Sequence, residues 1–509
     1  MTSFAPLKGS PLVERSSEGM RGLDAAIVLT AAILVGLALL VMRVWPPLNG
    51  DAAAILSFAD RMLDGEQLYT DLIDVNPPVI FWLSMVPASV ARVTGWSITA
   101  TTSAWTGILI LLSAGLSAAM WRRQGQCEPL VIAAIAAVVV LPSHNHSQRE
   151  HILIILALPW LLLAVLRQQG EPCSTALAMT AGVVAGIGLS IKPYYLVPAL
   201  LVEGGVLVVL GPRRWLARPE LWGLAVAGSV VALGLATIAR PWLSEIVPLV
   251  ARHYADLGWE TAWMVLSEEE RPQLLAALLL LMLVARARPA ALFGLGALAG
   301  AMLQGKGWDY HLLPAWAALL LALGLALDQW GGRLALALAG LLFGVTLVLT
   351  TPLVAEGRHS HSLERRMTDL LRRDAGPGPV LWLTASIWPH FPAVLDARVR
   401  LSGPYMNLWL VQALYRSVPF EADGRPRYRS DAEASDDERA VRRHLRTALL
   451  RTPPTLILVA PAAEEVGFAG QSFDYLDWLA TDPDLAPLLA RYRLRETVAG
   501  IRVLARAAE

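Results

Sequence analysis

The chain has 509 residues, 55% of them hydrophobic and 17% charged, with 42 basic and 42 acidic side chains and a formal net charge of zero. Soluble globular proteins carry about a quarter charged residues, so an ordinary soluble globule is excluded, and the absence of a long basic face argues against nucleic acid as a partner. The charge deficit is confined to Asp24 through Thr351, whereas Pro352 to Glu509 has the composition of a soluble domain.

Residues 1–23 are polar and carry Lys8, Arg15 and Arg21; the apolar run from Ala25 to Met42 follows, with no small-x-small cleavage site after it. That pattern predicts an uncleaved signal anchor. A membrane-crossing helix needs about 20 apolar residues. On that measure spans are expected at 24–45, 98–120, 128–142, 151–167, 174–190, 194–210, 220–239, 273–285, 289–303, 312–328 and 333–351.

Segment 77–94 is also apolar and decides the topology. If it crossed, Arg122/Arg123, Arg167, Arg213/Arg214/Arg218 and Arg286/Arg288 would all lie outside. Taken as a juxtamembrane or re-entrant helix, it leaves every one of those clusters inside, as the positive-inside bias requires. The expectation is about eleven spans, a cytosolic N-terminus and a C-terminal domain, residues 352–509, outside. Arg43, at the outer end of the first span, is the exception. Cys127 and Cys173 then fall in short cytosolic loops, which argues against a structural disulfide.

The external loops are 46–97, 143–150, 191–193, 240–272 and 304–311, and they hold the unusual polar residues. Loop 46–76 has six acids (Asp51, Asp60, Asp64, Glu66, Asp71, Asp74) against the single base Arg61. Asp51 lies close to the end of the first span, where a carboxylate at the membrane surface can act as general base on a hydroxyl. Asp60 and Asp64 read as solvated loop charges. The spacing of Ile55, Phe58, Ala59 and Met62 predicts a helix over 52–63 lying flat on the bilayer, ended by Gly65. Pro77 and Pro78 open the next helix.

The run His144-Asn145-His146-Ser147-Gln148-Arg149-Glu150-His151 stands between two apolar stretches, at a helix start. Ionisable residues at membrane depth are functional candidates by default. Arg149 suits bidentate phosphate binding. The histidines and Glu150 offer metal ligands, although their spacing matches no strong zinc signature; a structural cap is the plain alternative. Ile191-Lys192-Pro193-Tyr194-Tyr195 places a lysine in a very short turn, and Gln304-Gly305-Lys306-Gly307-Trp308-Asp309-Tyr310-His311 flanks another with glycines. Each lysine offers a point charge for phosphate, with snorkelling to the interface as the alternative. Loop 240–272 is amphipathic around Trp242, Ile246, Leu249, Val250 and Leu257, as either a lid over a lipid substrate or a plain surface helix. In the C-terminal part, strand-like runs at 379–383, 455–459 and 500–504 alternate with charged helical segments. They predict a small α/β domain over the external face, with the charged stretch 421–440 as a mobile insertion and no catalytic constellation.

The first loop, with its acid after span one, then Ala-Asp-Arg-Met-Leu-Asp-Gly-Glu-Gln-Leu-Tyr-Thr-Asp and Asn-Pro-Pro-Val-Ile-Phe-Trp-Leu, resembles the GT-C superfamily of membrane glycosyltransferases. The resemblance is to the branch of the dolichyl-phosphate-mannose protein mannosyltransferases and the lipid A aminoarabinose transferases. It covers roughly residues 20–350, and Ser-Gln-Arg-Glu-His and Gln-Gly-Lys-Gly-Trp-Asp-Tyr-His-Leu-Leu-Pro look like motifs of bacterial members. It implies a polytopic α-helical GT-C-like protein of the bacterial inner membrane. The implied reaction is an inverting sugar transfer from a polyprenyl-phosphate carrier to an envelope acceptor (glycan, lipid or protein) on the external face. It also implies that Asp51 is the catalytic base. Arg149, Lys192 and Lys306 are candidates for meeting the leaving phosphate charge, and Tyr69, Asp74, Asn76, Glu150, His151, Tyr310 and His311 complete the candidate binding set.

Two departures matter: Asn76 stands before the Pro-Pro pair where many relatives have lysine, and Asp51 is followed by Ala52 rather than a second acid. No cofactor is implied with certainty, and a divalent metal is left open. The competing readings are a lipid-linked-sugar flippase or transporter, which often shows an internal repeat not seen here, and a non-catalytic envelope assembly protein.

Overall fold

A computed structural model describes residues 48–122, 124, 127–254, 257–268, 270–350, 362–416, 418, 421, 426–461 and 473–507. The expected signal anchor and first span, 24–45, lie outside the described residues.

Each span expected from residue 98 onward is a helix: Ile98–Trp121, Glu128–Ile135 continued by the π-turn Ala136–Val140, Arg149–Gln168, Thr175–Leu189, Leu196–Leu210, Pro219–Thr237, Arg271–Leu281, Arg288–Gln304, Leu313–Trp330 and Gly332–Thr350. Local chemistry sets the ends. Ser97 and Ser174 accept hydrogen bonds from backbone N–H groups of the first turns they precede, and Gly305 closes Arg288–Gln304 in the left-handed conformation that glycine adopts without strain. Among the described residues six helices are long and apolar enough to cross a membrane: Ile98–Trp121, Arg149–Gln168, Pro193–Leu210, Pro219–Thr237, Asp309–Trp330 and Gly332–Thr350. Val79–Thr94 is among the shorter apolar helices; at 1.5 Å per residue it reaches about 24 Å, less than the roughly 30 Å hydrocarbon core.

Arg149–Gln168 is the axis of the bundle: its apolar window is entirely buried in protein, whereas Ile98–Trp121 and Pro219–Thr237 bury only a fifth or so of theirs. Helices Thr175–Leu189 and Pro219–Thr237 touch backbone to backbone, since a Cβ added at Gly182 would sit 2.1 Å from the Glu220 carbonyl oxygen. Small residues permit such contacts between membrane helices, where lipid offers no hydrophobic drive to associate. At the end of the bundle remote from the soluble domain, Arg167 holds Glu220 at 2.8 and 2.9 Å. Arg218 binds Glu203, which also accepts from Trp160 and Trp215. The arginines assigned to cytosolic loops are therefore partly spent on buried carboxylates.

Helix Gly50–Leu63 differs from the expectation of a helix lying on lipid. Ala52 through Ala59 are all buried, because the helix is enclosed by Val79–Thr94 and by the soluble-domain helix His390–Ala397. Its alanines leave room for neighbours on several sides, which a strictly two-faced amphipathic pattern does not reveal. Asp60 and Asp64 are not free loop charges either: both hold Arg92, at 2.7 Å.

The soluble domain carries four strands, β1 Val380–Leu383, β2 Leu456–Val459, β3 Tyr492–Val498 and β4 Ile501–Arg506, in the order β1-β2-β4-β3. β1 and β2 are parallel and fully buried, and the other pairs are antiparallel. β3 escapes the sequence pattern because it is a charged edge strand, a common way to blunt an open sheet edge. The β3–β4 turn uses Ala499 and Gly500, both at positive φ, as a tight hairpin demands.

Within the charged stretch 421–440, the described residues end in an ordered helix start. Ser435 caps helix Asp436–Arg451, and Glu438 on its first turn is fully buried. Glu438 accepts from Tyr415 at 2.6 Å, Arg429 at 2.8 Å and Arg442 at 2.8 Å. Burial pushes this carboxyl up, but the hydrogen bonds from Tyr415 and Arg429 and the charge of Arg442 outweigh it and leave it below its ordinary value. Glu438 and its partners are internal ties of the domain, whereas Arg427, Asp431, Glu433 and Asp436 remain exposed.

The domain is fastened to the bundle by backbone as well as side chains. Ile73 N–H donates to Pro404 O at 2.7 Å, and Arg61 donates to Gly403 O at 2.7 Å. Segment 240–272 is packed against it: the Tyr254 ring meets Trp409 edge-on at 5.1 Å, and Arg252 and His253 both bind Asp437.

Candidate functional site

Asn49 begins the site. Its side chain caps helix Gly50–Leu63 by accepting from Ala52 N–H at 2.9 Å, and this sets Asp51 in the first turn, where the helix dipole favours a negative charge. The Asn49 amide also donates to Asn145 at 3.0 Å and Gln148 at 2.5 Å. The first loop is thereby tied to the start of the axial helix almost a hundred residues away.

Three residues of that helix start meet the first loop. Asp51 Oδ2 accepts from Arg149 Nη2 at 3.0 Å and from Gln148 Nε2 at 3.1 Å. Arg149 Nη1 donates to the Asn76 side-chain oxygen. Asn76 in turn donates to Asp74 from its backbone at 2.8 Å and its amide at 2.7 Å, and its carbonyl accepts from Tyr69 at 2.6 Å. Burial raises the Asp74 carboxyl, with the Asn76 hydrogen bonds pulling the other way. A single arginine thus spans Asp51 and the Asn76 side chain. Asp51 keeps about a fifth of its side chain exposed, and Arg149 8%. Asp51 Oδ1 has no hydrogen bond among the described residues, and Asp51 lines a narrow cleft of about 20 Å³ together with Ile55, Ile80, Thr102, Gln148 and Arg149.

The second tier lies deeper. Glu150 is fully buried and accepts from Lys192 Nζ at 2.5 Å. The Lys192 ammonium lies 5.6 Å from the Tyr310 ring centre and 6.0 Å from that of Tyr195. Tyr310 meets His311 edge-on at 4.5 Å, with Trp308 5.4 Å from the same histidine. Lys192, which holds Glu150, therefore shares this region with the adjacent Arg149, which holds Asp51. Among the described residues, buried Arg149 Nε and His311 Nδ1 have no hydrogen-bond partner; polar capacity of this kind suits a polar ligand.

Two candidates have other engagements. Lys306 donates to the carbonyls of Tyr254 and Leu257 at 2.7 and 2.5 Å and lies 4.5 Å over the Tyr254 ring, so it anchors segment 240–272. His151 accepts from Ser147 N–H at Nδ1, 3.1 Å, and its Nε2 donates to Val138 O at 2.7 Å. Both of its nitrogens therefore serve the backbone at the helix start. Neighbouring His146 is pushed down to about 4 by burial and is neutral at ordinary pH. Among the described residues no three His, Cys, Asp or Glu side chains converge in metal-binding fashion, and Cys127 and Cys173 are both free thiols.

Asn145 and Gln148 lie in the run read from sequence but received no role there, and Asn49 was not singled out. Their amides cost little in a loop and gain meaning only when the two segments meet. Ser147, at φ 66, and Ser143, at φ 45, hold backbone that non-glycine residues rarely adopt.

No family model and no curated protein matches the chain. Among solved structures it is similar to ArnT from Cupriavidus metallidurans bound to undecaprenyl phosphate, with 15% identity, a TM-score of 0.56, and 96% of this chain and 98% of that chain covered. The same protein in the apo state gives 14% identity and a TM-score of 0.55 over the same shares. At this identity the likeness speaks for architecture: the chain has the GT-C-like fold of ArnT, a polytopic helical membrane domain followed by a small α/β domain.

Proposed function

We propose that this protein is a membrane glycosyltransferase that moves a sugar from a polyprenyl-phosphate carrier to an acceptor hydroxyl, with Asp51 as general base. The observation that carries the proposal is the Asp51–Arg149–Asn76 chain at the mouth of the bundle, under the soluble domain. It places a carboxylate with one open oxygen beside a guanidinium, with a lysine behind it. The resemblance of an ArnT structure holding undecaprenyl phosphate supports the donor class.

In the proposed reaction the acceptor oxygen attacks the anomeric carbon and its proton passes to Asp51. The bond from that carbon to the phosphate oxygen breaks, and its electron pair leaves with polyprenyl phosphate. Arg149 and Lys192 meet the charge that develops there, in a water-poor site where fixed cations act strongly. The missing lysine before Pro77 is offset by geometry: Asn76 does not contact phosphate itself but orients Arg149, which takes that duty. The positive-inside argument puts the site on the external face of a bacterial inner membrane, with the N-terminus cytosolic.

The test is transfer of label from a panel of polyprenyl-phosphate sugars in membranes. Asp51→Asn is expected to lose at least about 10²-fold in rate with expression and insertion unchanged. Equal transfer by the native chain and the variant removes Asp51 from the mechanism. Movement of the donor across the bilayer with no transfer would instead favour a flippase.

A further inference from the structure

A second cavity, of about 310 Å³, lies at the far end of helix Gly50–Leu63 from Asp51. Its walls come from that helix, from the corner between Val79–Thr94 and Ile98–Trp121, and from the end of the soluble-domain helix His390–Ala397 and the residues that follow it. Four arginines and two acids line it: Arg61, Arg92, Arg398, Arg400, Asp60 and Asp64.

The charges do not cancel. Arg61 is spent on Glu66 and on Gly403 O. Arg92 holds Asp60 and Asp64. Arg400 binds Glu66 and reaches Asp64 only at 3.4 Å. Arg398 is exposed and has no side-chain partner among the described residues; its backbone, at φ 56, ends helix His390–Ala397 and fixes it at the cavity edge. With Glu66 counted, four guanidinium groups face three carboxylates, so one positive charge is left, at the Arg398–Arg400 side.

Position supplies the second half of the argument. Trp96, 63% exposed, lies on the rim, two residues before a helix long and apolar enough to span the membrane. Tryptophan at such a place marks the headgroup level of a bilayer. Ile98, Leu395 and Leu401 give the cavity an apolar wall beside its arginines. Excess single positive charge, an apolar wall and headgroup depth together match one phosphodiester with the start of its acyl chains.

We propose that this cavity binds the phosphodiester headgroup of an anionic phospholipid from the leaflet on the soluble-domain side, held by Arg398 and Arg400. The lipid ties the soluble domain to the bilayer surface, apart from the Asp51 site and independently of what that site does.

The test is native mass spectrometry of the full-length protein released from nanodiscs of phosphatidylglycerol and phosphatidylcholine in equal parts. One phosphatidylglycerol is expected to stay bound to the native chain. Each basic residue near a membrane surface contributes about fivefold to binding an acidic lipid. The Arg398→Gln/Arg400→Gln variant should therefore retain phosphatidylglycerol roughly 10- to 30-fold less well. Ala91→Phe, which fills the cavity and leaves every charge in place, should lose it too. Equal retention by native and doubly substituted protein overturns the proposal, as does retention by Ala91→Phe. Displacement of the lipid by millimolar inorganic phosphate would show a free-anion site and overturn the lipid assignment.

Discussion

Arg149 shows why a charge in an apolar sequence is readable and its job is not. Its cost at membrane depth marks it, but the two arms that reach Asp51 and Asn76 exist only in the fold. A lysine there would offer a compact point charge in place of the planar fork whose two arms reach these two acceptors. Arg149→Lys is expected to lower transfer about 10²-fold, as loss of one charge-stabilising donor commonly does. Single-turnover rates at saturating donor check it, and a change confined to KM would sink it. Lys192 gives a pH signature. Burial pushes its ammonium down to about 8, against the pull of Glu150. If protonated Lys192 meets the phosphate, kcat/KM stays level below about pH 8 and falls above it, because the free enzyme then loses the cation. Arginine does not lose its proton in that range, so Lys192→Arg should keep the plateau to higher pH. Identical profiles for the two proteins would remove Lys192 from the charge balance.

Helices were largely legible as elements, because runs of about 20 apolar residues have few other uses. What periodicity could not show was which helix is central. Arg149–Gln168 is as apolar as its neighbours, yet it alone among the candidate spans has its whole window buried. Helix Gly50–Leu63 misled in the opposite sense, reading as a lipid-facing stripe while packing against protein on several sides. Strand β3 was hidden by its charges, and the Glu438 cluster by the same cause. Glycine contacts between helices were equally silent, since a glycine in an apolar run has the same appearance whether or not it is packed. Gly182 tests that contact. A leucine there meets Glu220 backbone on a rigid helix and has nowhere to go. Gly182→Leu should part the two helices and lower the thermal stability of the purified protein by several degrees, whereas Gly228→Leu, with nothing within 4 Å of its added Cβ, should leave it close to native. Equal melting temperatures for the two variants would show that the close contact is not required.

The whole molecule is organised as one cooperating body rather than an anchor with a passenger. One continuous apolar core includes Leu153 and Leu163 of the axial helix, Ala53 and Phe58 of the first helix, and Val380, Phe391 and Val394 of the soluble domain. Helix Gly50–Leu63 is the shared layer, with Asp51 at one end of it, so the position of the proposed base depends on the domain that covers it. Ile387 of that domain reaches the same helix end: its Cγ2 would lie 2.9 Å from a Cβ on Gly50, the residue before Asp51. Phe391, fully buried in that shared core, is the place to test the coupling. Truncation of a buried phenylalanine to alanine costs about 3–5 kcal/mol. If the core is continuous, Phe391→Ala loosens helix Gly50–Leu63 as well as the domain. Protease cleavage in the soluble domain and hydrogen exchange of the 50–63 amides should then rise together, and transfer should fall although no group near the reacting atoms has changed. Faster exchange confined to residues 362–507 with 50–63 still protected would show the domain to be a separate folding unit, and the base would then owe its position to the membrane helices alone.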